Sequence, residues 1–340
     1  MNLKTIGMDL AKNVIQVHGA DGKGNTVLRK QLKRAQVLPF FVNLVPCQVG
    51  MEACGSAHFW ARKLVAMGHT VQLIPPQYVK PFVKRNKNDA ADAEAICEAV
   101  VRPNMPGVPI KTVEQQAILS VHRARQGFVK ARTAQANQIR GLLAEYGLVI
   151  PVGIRHIPSC VALIVDDEEN ELPMSFRHLL QTLVEHFKAL DEQVGKLELE
   201  IKCWHRDCAA STQLATVPGV GPITASALVA SIGDARNFKN GRQMAAWMGL
   251  VPRQHSTGGK TVLQGISKRG DSYLRTLLIH GARAVIRVSE HKIGADPWLK
   301  TLVARRNKNI AAVALANKNV RVIWSMLTHE RDYVPTYAHA

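Results

Sequence analysis

The alternation of apolar runs over the first hundred residues limits this chain's fold more than any other feature. Residues 3–9 (Leu-Lys-Thr-Ile-Gly-Met-Asp) alternate in the manner of a strand and end on an acid. Residues 14–18 give a second strand, Asp21-Gly-Lys-Gly-Asn25 a turn, and residues 26–32 a returning third strand. A short apolar helix over residues 36–44 stops near Pro46. A strand over residues 48–53 carries Glu52 near its end, Ser56 caps a helix through Met67, and residues 70–74 form a fifth strand. Pro75-Pro76 then leads to a further helix.

That last helix is predicted over the stretch Asn-Lys-Asn-Asp-Ala-Ala-Asp-Ala-Glu-Ala-Ile at residues 86–96, with Asn86 or Asn88 as its cap. Asp89 and Asp92 fall three residues apart, on one helix face, where their like charges repel. A solvated helix start, with acids at the positive end of the macrodipole, accounts for such a pair taken alone. Lys84, Arg85 and Lys87 precede it as a basic run suited to phosphate.

A meander followed by alternating α/β units is the layout of ribonuclease H-like folds. In such a sheet the first and fourth strands are neighbours, so Asp9 and Glu52 are expected side by side, with the Asp89/Asp92 helix against them. Four converging carboxylates suit two divalent hard cations, which need oxygen ligands and neutralise the charge.

The middle of the chain is helical. Residues 114–146 form one long helix, broken after it by Pro151 and Pro158. Phe176, Leu180, Leu183, Phe187, Leu190, Val194, Leu197, Ile201 and Trp204 then step by alternating fours and threes, a heptad seam. That seam fits either a coiled-coil dimer or a hairpin with the preceding helix. Further on, Pro218-Gly219-Val220-Gly221-Pro222 between apolar helices reads as a helix-hairpin-helix, whose backbone amides at Gly219 and Gly221 can grip phosphate. Ser256 lies just before Gly258-Gly259 in a glycine-rich loop, surrounded in sequence by Arg253, Lys260, Lys268, Arg269 and Arg275. Those cations suit phosphate oxygens, and Ser256 is either a turn residue or a nucleophile. The segment after residue 297 reads as packed helices with a basic face, ending in a loose tail.

Net charge is +18 and uneven. Residues 1–110 hold 14 basic and 7 acidic side chains, residues 111–210 hold 12 and 13, and residues 211–340 hold 18 and 6. Two basic lobes flanking a neutral spacer point to polyanion contact at both ends. The division expected is a catalytic α/β domain over 1–110, a helical coiled-coil spacer over 111–210, a mainly α-helical domain with the helix-hairpin-helix over 211–330, and a tail over 331–340. Neither a signal peptide nor a membrane span is expected, and the six scattered cysteines suit a reduced cytoplasm. Cys203 and Cys208 lack a second ligand pair at zinc spacing.

Taken together, Gly7-Met-Asp9, Gly50-Met-Glu52-Ala, Lys87-Asn-Asp89-Ala-Ala-Asp92-Ala, Pro218-Gly-Val-Gly-Pro222, Gly249-Leu-Val-Pro252, Ser256-Thr-Gly-Gly-Lys260 and Ile266-Ser-Lys-Arg-Gly270 resemble one family over nearly the whole chain. It is the insertion-sequence transposases with four N-terminal acids and a C-terminal serine, relatives of the Piv DNA invertase. A proline expected after Arg305-Arg306 is absent. The resemblance implies a RuvC-like domain in which Asp9, Glu52, Asp89 and Asp92 hold Mg²⁺, and a serine domain in which Ser256 attacks a phosphodiester of double-stranded DNA and stays attached to it. It also implies a structured guide RNA in some members. A homo-oligomer, dimer or tetramer, with acids and serine supplied in trans follows if the heptad seam pairs two chains; in the cell such a protein works on the nucleoid. Three other functions are compatible with the same residues: a site-specific invertase, a junction-resolving nuclease in which water attacks, and a non-catalytic architectural protein.

Overall fold

A computed structural model describes residues 3–84, 88–289 and 296–335. The chain divides into two compact units, Met1–Val113 and Glu114–Ala340, so the helices expected as a separate spacer share a unit with the C-terminal helices.

The first unit runs β1 (Thr5–Leu10), β2 (Val14–Ala20), β3 (Thr26–Lys33), α1 (Val37–Val42), β4 (Gln48–Glu52), α2 (Ala57–Ala66), β5 (Thr70–Ile74), α3 (Pro76–Val79) and α4 (Asp89–Val100). Its five strands form one sheet in the order β3-β2-β1-β4-β5. The meander strands pair antiparallel, while β1 pairs parallel with β4 and β4 with β5.

Strand side chains alternate between faces, and the two faces differ sharply here. Ile6 and Met8 of β1 and Val49 and Met51 of β4 point into a core with Phe41, Trp60, Leu64 and Leu73, beneath α1 and α2. The opposite face of the same strands reads Thr5, Gly7, Asp9 and Gln48, Gly50, Glu52. Gly7 and Gly50 are register partners, and α4 lies directly on them. A Cβ at Gly7 would sit 2.1 Å from the Ala93 carbonyl oxygen and 2.4 Å from the Cys97 nitrogen; one at Gly50 would sit 2.8 Å from Val100 Cβ. No residue but glycine fits either place without moving the helix. Gln48 Nε2 donates to the Val100 carbonyl (3.0 Å) and pins the far end of α4.

Helix α4 begins at Asn88, whose Oδ1 accepts from the Ala91 amide at 2.9 Å, so Asn88 is the cap of the two asparagines considered. Five alanines between residues 90 and 99 keep the helix slim enough to approach the sheet. On its outer face Glu94 takes Arg29 (3.3 Å) and Lys84 (3.1 Å), and Lys84 also reaches Glu98.

The second unit comprises α5 (Val113–Ala144), α6 (Ile157–Asp166), α7 (Met174–Asp207), α8 (Ala209–Leu214), α9 (Pro222–Ile232), α10 (Gly241–Trp247), β6 (Pro252–Thr257), β7 (Lys260–Ile266), α11 (Ser272–Ser289), α12 (Pro297–Arg305) and α13 (Lys308–His329). Helices α5 and α7 run antiparallel: Arg125 meets Glu198, Arg132 meets Asp191, and Gln135 meets His186. The heptad seam of α7 is filled within the chain. Phe176, Leu180 and Phe187, with Val184 buried where the seam predicted Leu183 (itself half-buried), pack on Ala136, Ile139 and Leu143 of α5 and on Ile157 and Val161 of α6, while Ile201 meets Ile118 and Ala230. Within this chain the seam therefore packs as the hairpin. Among the described residues no helix is long and apolar enough to cross a membrane.

Gly7→Ala is expected to destabilise the first unit by about 3 kcal/mol, the upper end of overpacking costs, because backbone on both sides resists the methyl. Hydrogen exchange of the β1 and α4 peptides should rise accordingly. Gly127→Ala, at a position in α5 with nothing within 4 Å, is the control and should leave those peptides unchanged. Wild-type protection in Gly7→Ala would contradict the contact.

Candidate metal centre and serine hairpin

The glycine contact sets the height of α4 above the sheet and so decides where its first turn lies. Asp9, two residues beyond Gly7 on the same face of β1, meets Asp89 and Asp92 of that turn. One ligand oxygen from each of the three lies within 4.8 Å of the others. Glu52, one step past the last β1–β4 register pair, stands close enough to act on Asp9 but outside this tightest group. Three of the four expected acids thus form the cluster and the fourth flanks it.

Like charges this close disfavour one another's ionisation, and half-burial adds to the effect. Desolvation first, then Asp92, Asp89 and Glu52, raise the Asp9 carboxyl from 3.8 to about 6. Partial burial and the charges of Glu52 and Asp9 push the Cys54 thiol up as well. Nothing in the sequence spacing of Cys54 ties it to the acids. An oxygen-only donor set with excess negative charge, on a scaffold that holds it in place, fits hard divalent cations. Of the basic run upstream, Lys84 is ion-paired to Glu94 and Glu98 on α4; Arg85 and Lys87 lie outside the described residues.

In the second unit Ser256 is not in a loop. It sits on β6, opposite Thr261 of β7, one residue before that strand ends at the turn of an exposed β-hairpin. Gly258 (φ +56°) and Gly259 (φ +78°) form its two-residue turn, the left-handed pair that suits strand twist. The signal was present: Gly-Gly between the alternating runs Arg-Gln-His-Ser-Thr and Lys-Thr-Val-Leu. Gln254, two residues before Ser256 and on its face, donates from Nε2 to Ser256 Oγ at 2.8 Å. His255 points to the other face.

The base of the hairpin is clamped by crossed backbones. A Cβ at Gly249 would sit 1.9 Å from the Arg269 carbonyl oxygen, and one at Gly270 would sit 1.9 Å from the Trp247 carbonyl oxygen. Lys268 between them takes a left-handed backbone (φ +54°), uncommon for a side chain with a Cβ. Arg253, Lys260, Lys268 and Arg269 are exposed. Arg275 is half-buried and donates to the Met248 carbonyl at 3.2 Å, which makes it part of the clamp.

Between α8 and α9, Gly219 (φ +86°) faces inward and its carbonyl oxygen would lie 1.8 Å from a Cβ at Gly281 of α11; Gly221 is exposed at the start of α9. Only Gly221 therefore presents backbone outward. Beside this turn His122 of α5 is buried, bonded to Ser226 Oγ of α9 (3.1 Å) and Tyr273 Oη of α11 (3.0 Å). Burial, then Arg125, holds it down at about 4, so it stays neutral and ties three helices together. The sequence offered no sign of this node, since its members lie up to 151 positions apart.

A transposase model of the DEDD type matches residues 6–148, and the model of the IS116/IS110/IS902 transposase family matches residues 211–300. The chain is 54% identical over 337 residues to a probable family 20 transposase of Pseudomonas aeruginosa, covering 98% of this chain and all of the relative. It is 45% identical to the transposase of insertion element IS1111A of Coxiella burnetii (98% of this chain, 92% of the relative). A pilin gene-inverting protein of Moraxella bovis is 25% identical (83% and 80%). The chain belongs to the IS110/IS116/IS902 family of insertion-sequence transposases. A DEDD transposase domain implies a divalent metal, and Asp9, Asp89 and Asp92 form a cluster of acidic residues in that domain.

The raised Asp9 pKa carries a stability consequence. The metal-free fold prefers Asp9 protonated, so its stability declines as pH rises from about 4 to about 6 and the loss is fully present above. Asp9→Asn should therefore stabilise the metal-free protein at pH 7.5 by about 1–2 kcal/mol, after discounting for solvent screening. The gain should vanish at pH 4. Thermal melts at the two pH values check this; a destabilised Asp9→Asn at pH 7.5 would contradict it.

Proposed function

We propose that the chain is the recombinase of an insertion sequence, cutting and rejoining double-stranded DNA with Ser256 as nucleophile. The observation that carries this reading is the acid cluster, held by backbone contact in a chain of the transposase family. The strand order and the position of the acids support a ribonuclease H-like, RuvC-like domain, and the α8–Gly–α9 turn supports a helix-hairpin-helix whose Gly221 side meets a phosphate.

Asp9, Asp89 and Asp92, with Glu52 beside them, would hold up to two Mg²⁺ ions. When bound, these supply Lewis-acid stabilisation of the attacking and leaving oxygens. The remaining work falls to the chain. Gln254 orients the Ser256 hydroxyl, and the exposed Arg253, Lys260, Lys268 and Arg269 hold phosphate oxygens. As the bond from Ser256 Oγ to phosphorus forms, one phosphorus–oxygen ester bond breaks. The serine proton is released and the departing sugar oxygen takes one up. One ester replaces another, so rejoining needs no nucleotide energy source. The basic charge of both flanking lobes supports a second polyanion, a structured RNA that directs site choice. The pilin gene-inverting relative favours a second reading, inversion of a DNA segment by the same chemistry.

One recombination assay tests the scheme. Alanine at Asp9, Asp89 or Asp92 should abolish strand cleavage with DNA binding retained. Trapped complexes, digested and analysed by mass spectrometry, should carry a nucleotide on Ser256, and ribonuclease treatment should abolish site choice. Cleavage without an adduct would assign the attack to water, as in a junction-resolving nuclease, and an adduct on Ser267 would move the nucleophile. Unchanged site choice after ribonuclease would remove the RNA.

A further inference from the structure

Helix α13 is amphipathic in an unusual way. Ala311, Ala312, Leu315, Val320 and Ile323 are buried in the core of the second unit. A second face, stepping through Ile310, Val313, Asn317 and Arg321, lines a groove of about 1580 Å³ instead. Ile310 is 55% exposed there. The groove is continuous with the serine hairpin, for Pro252 at the start of β6 and Gln264 to Ile266 at the end of β7 form part of its wall.

Its chemistry narrows the occupant. The volume exceeds the ~300–1,000 Å³ of small-molecule sites, which points to a polymer. Arg242, Lys318, Arg321 and Arg331 stand against Asp332, the one acid among the lining residues, and Gln213 already bonds that acid. Lys318 is fixed over the Trp298 ring (4.2 Å to its centre) and beside Asp296 (3.4 Å). A groove with a basic rim suits a polyanion, and an apolar floor of Ile310, Val313 and Trp298 suits base faces, which a paired duplex keeps stacked away.

We propose that this groove holds the few unpaired nucleotides of the DNA strand next to the phosphodiester that Ser256 attacks. The proposal rests on the reading of Ser256 as nucleophile. Four residues of strand separate Pro252 from Ser256, about 13 Å at ~3.3 Å per residue. An unstacked strand covers that distance in a few nucleotides, so the groove lies within reach of the reacting phosphate. Arg242, Arg321 and Arg331 then neutralise backbone phosphates, and the apolar floor takes unstacked bases. A recombinase gains from such a site because a strand released by cleavage stays bound until it is rejoined.

The test uses full-length Ser256→Ala protein, in which no attack by that side chain can occur. Fluorescence anisotropy compares a blunt DNA duplex with the same duplex carrying a four-nucleotide single-stranded overhang. The overhang should bind at least ten-fold more tightly. Arg242→Glu with Arg321→Glu should erase that preference while changing blunt-duplex affinity less than two-fold. The slope of log affinity against log salt should fall by about 1.4 on the overhang, near 0.7 for each lost phosphate contact. To separate a binding defect from misfolding, an overhang carrying 5-iododeoxyuridine is photo-crosslinked to the protein with both arginines present. Crosslinks on residues 310–321 or Trp298 support the groove. No overhang preference, crosslinks elsewhere, or tighter binding of an RNA overhang would each overturn the proposal. Absence of a Ser256 adduct in the recombination assay would leave these binding results intact, so the two readings fail separately.

Discussion

The contact of α4 with Gly7 and Gly50 governs the first unit. Two glycines paired across adjacent parallel strands remove the side chains that would otherwise hold a helix off the sheet. The helix backbone then rests on strand backbone, with the Ala93 carbonyl and Cys97 amide against Gly7. The β1 face that admits the helix at Gly7 presents Asp9 two residues later, and the β4 face that admits it at Gly50 presents Glu52. The same spacing that creates the cleft thus delivers carboxylates to its mouth, where the first turn of α4 brings Asp89 and Asp92.

The cost of this arrangement is electrostatic. A fold free to choose would separate these acids, and Asp9 records the conflict in its raised pKa. The repulsion is sustained because α4 is fixed elsewhere: by its glycine seat, by Gln48 on the Val100 carbonyl, and by Arg29 and Lys84 on Glu94. Strain of this kind persists at functional sites when the surrounding packing overdetermines it. The second unit shows a parallel device without charge, in which Gly249 and Gly270 cross neighbouring backbones and hold the base of the exposed serine hairpin.

Period and punctuation made much of this legible in the sequence. The strands of residues 3–74 alternate cleanly, their turns carry Asp-Gly and Pro, and the helix cap at Asn88 stands where asparagine caps do. Strand order put Asp9 beside Glu52, and the ribonuclease H-like layout expected from the sequence set the Asp89/Asp92 helix against them. Other features were hidden for physical reasons. A heptad seam reports that an apolar face is buried but not by what; here α5 and α6 cover it, in a core that joins Leu180 with Ile139 and Val161 and that no local pattern encodes. The hairpin around Ser256 was read as a loop because glycine and basic residues outweighed its short alternation. Arg275 looked like one more phosphate ligand until its bond to the Met248 carbonyl placed it in the clamp. The groove along α13 depends on which of its two apolar stripes meets the core, and spacing alone leaves the stripes through Leu315 and through Val313 equivalent.

The most direct test of the central claim, that glycine-seated α4 builds a divalent-cation site, is anomalous diffraction from crystals of the full chain soaked in Mn²⁺. The account predicts a peak bonded to carboxylate oxygens of Asp9 and Asp92, at the roughly 2.1 Å of hard octahedral cations, with Asp89 or Glu52 completing the protein ligands. A crystal in which Mn²⁺ binds elsewhere, while these carboxylates are separated or paired with lysine and arginine, would contradict it.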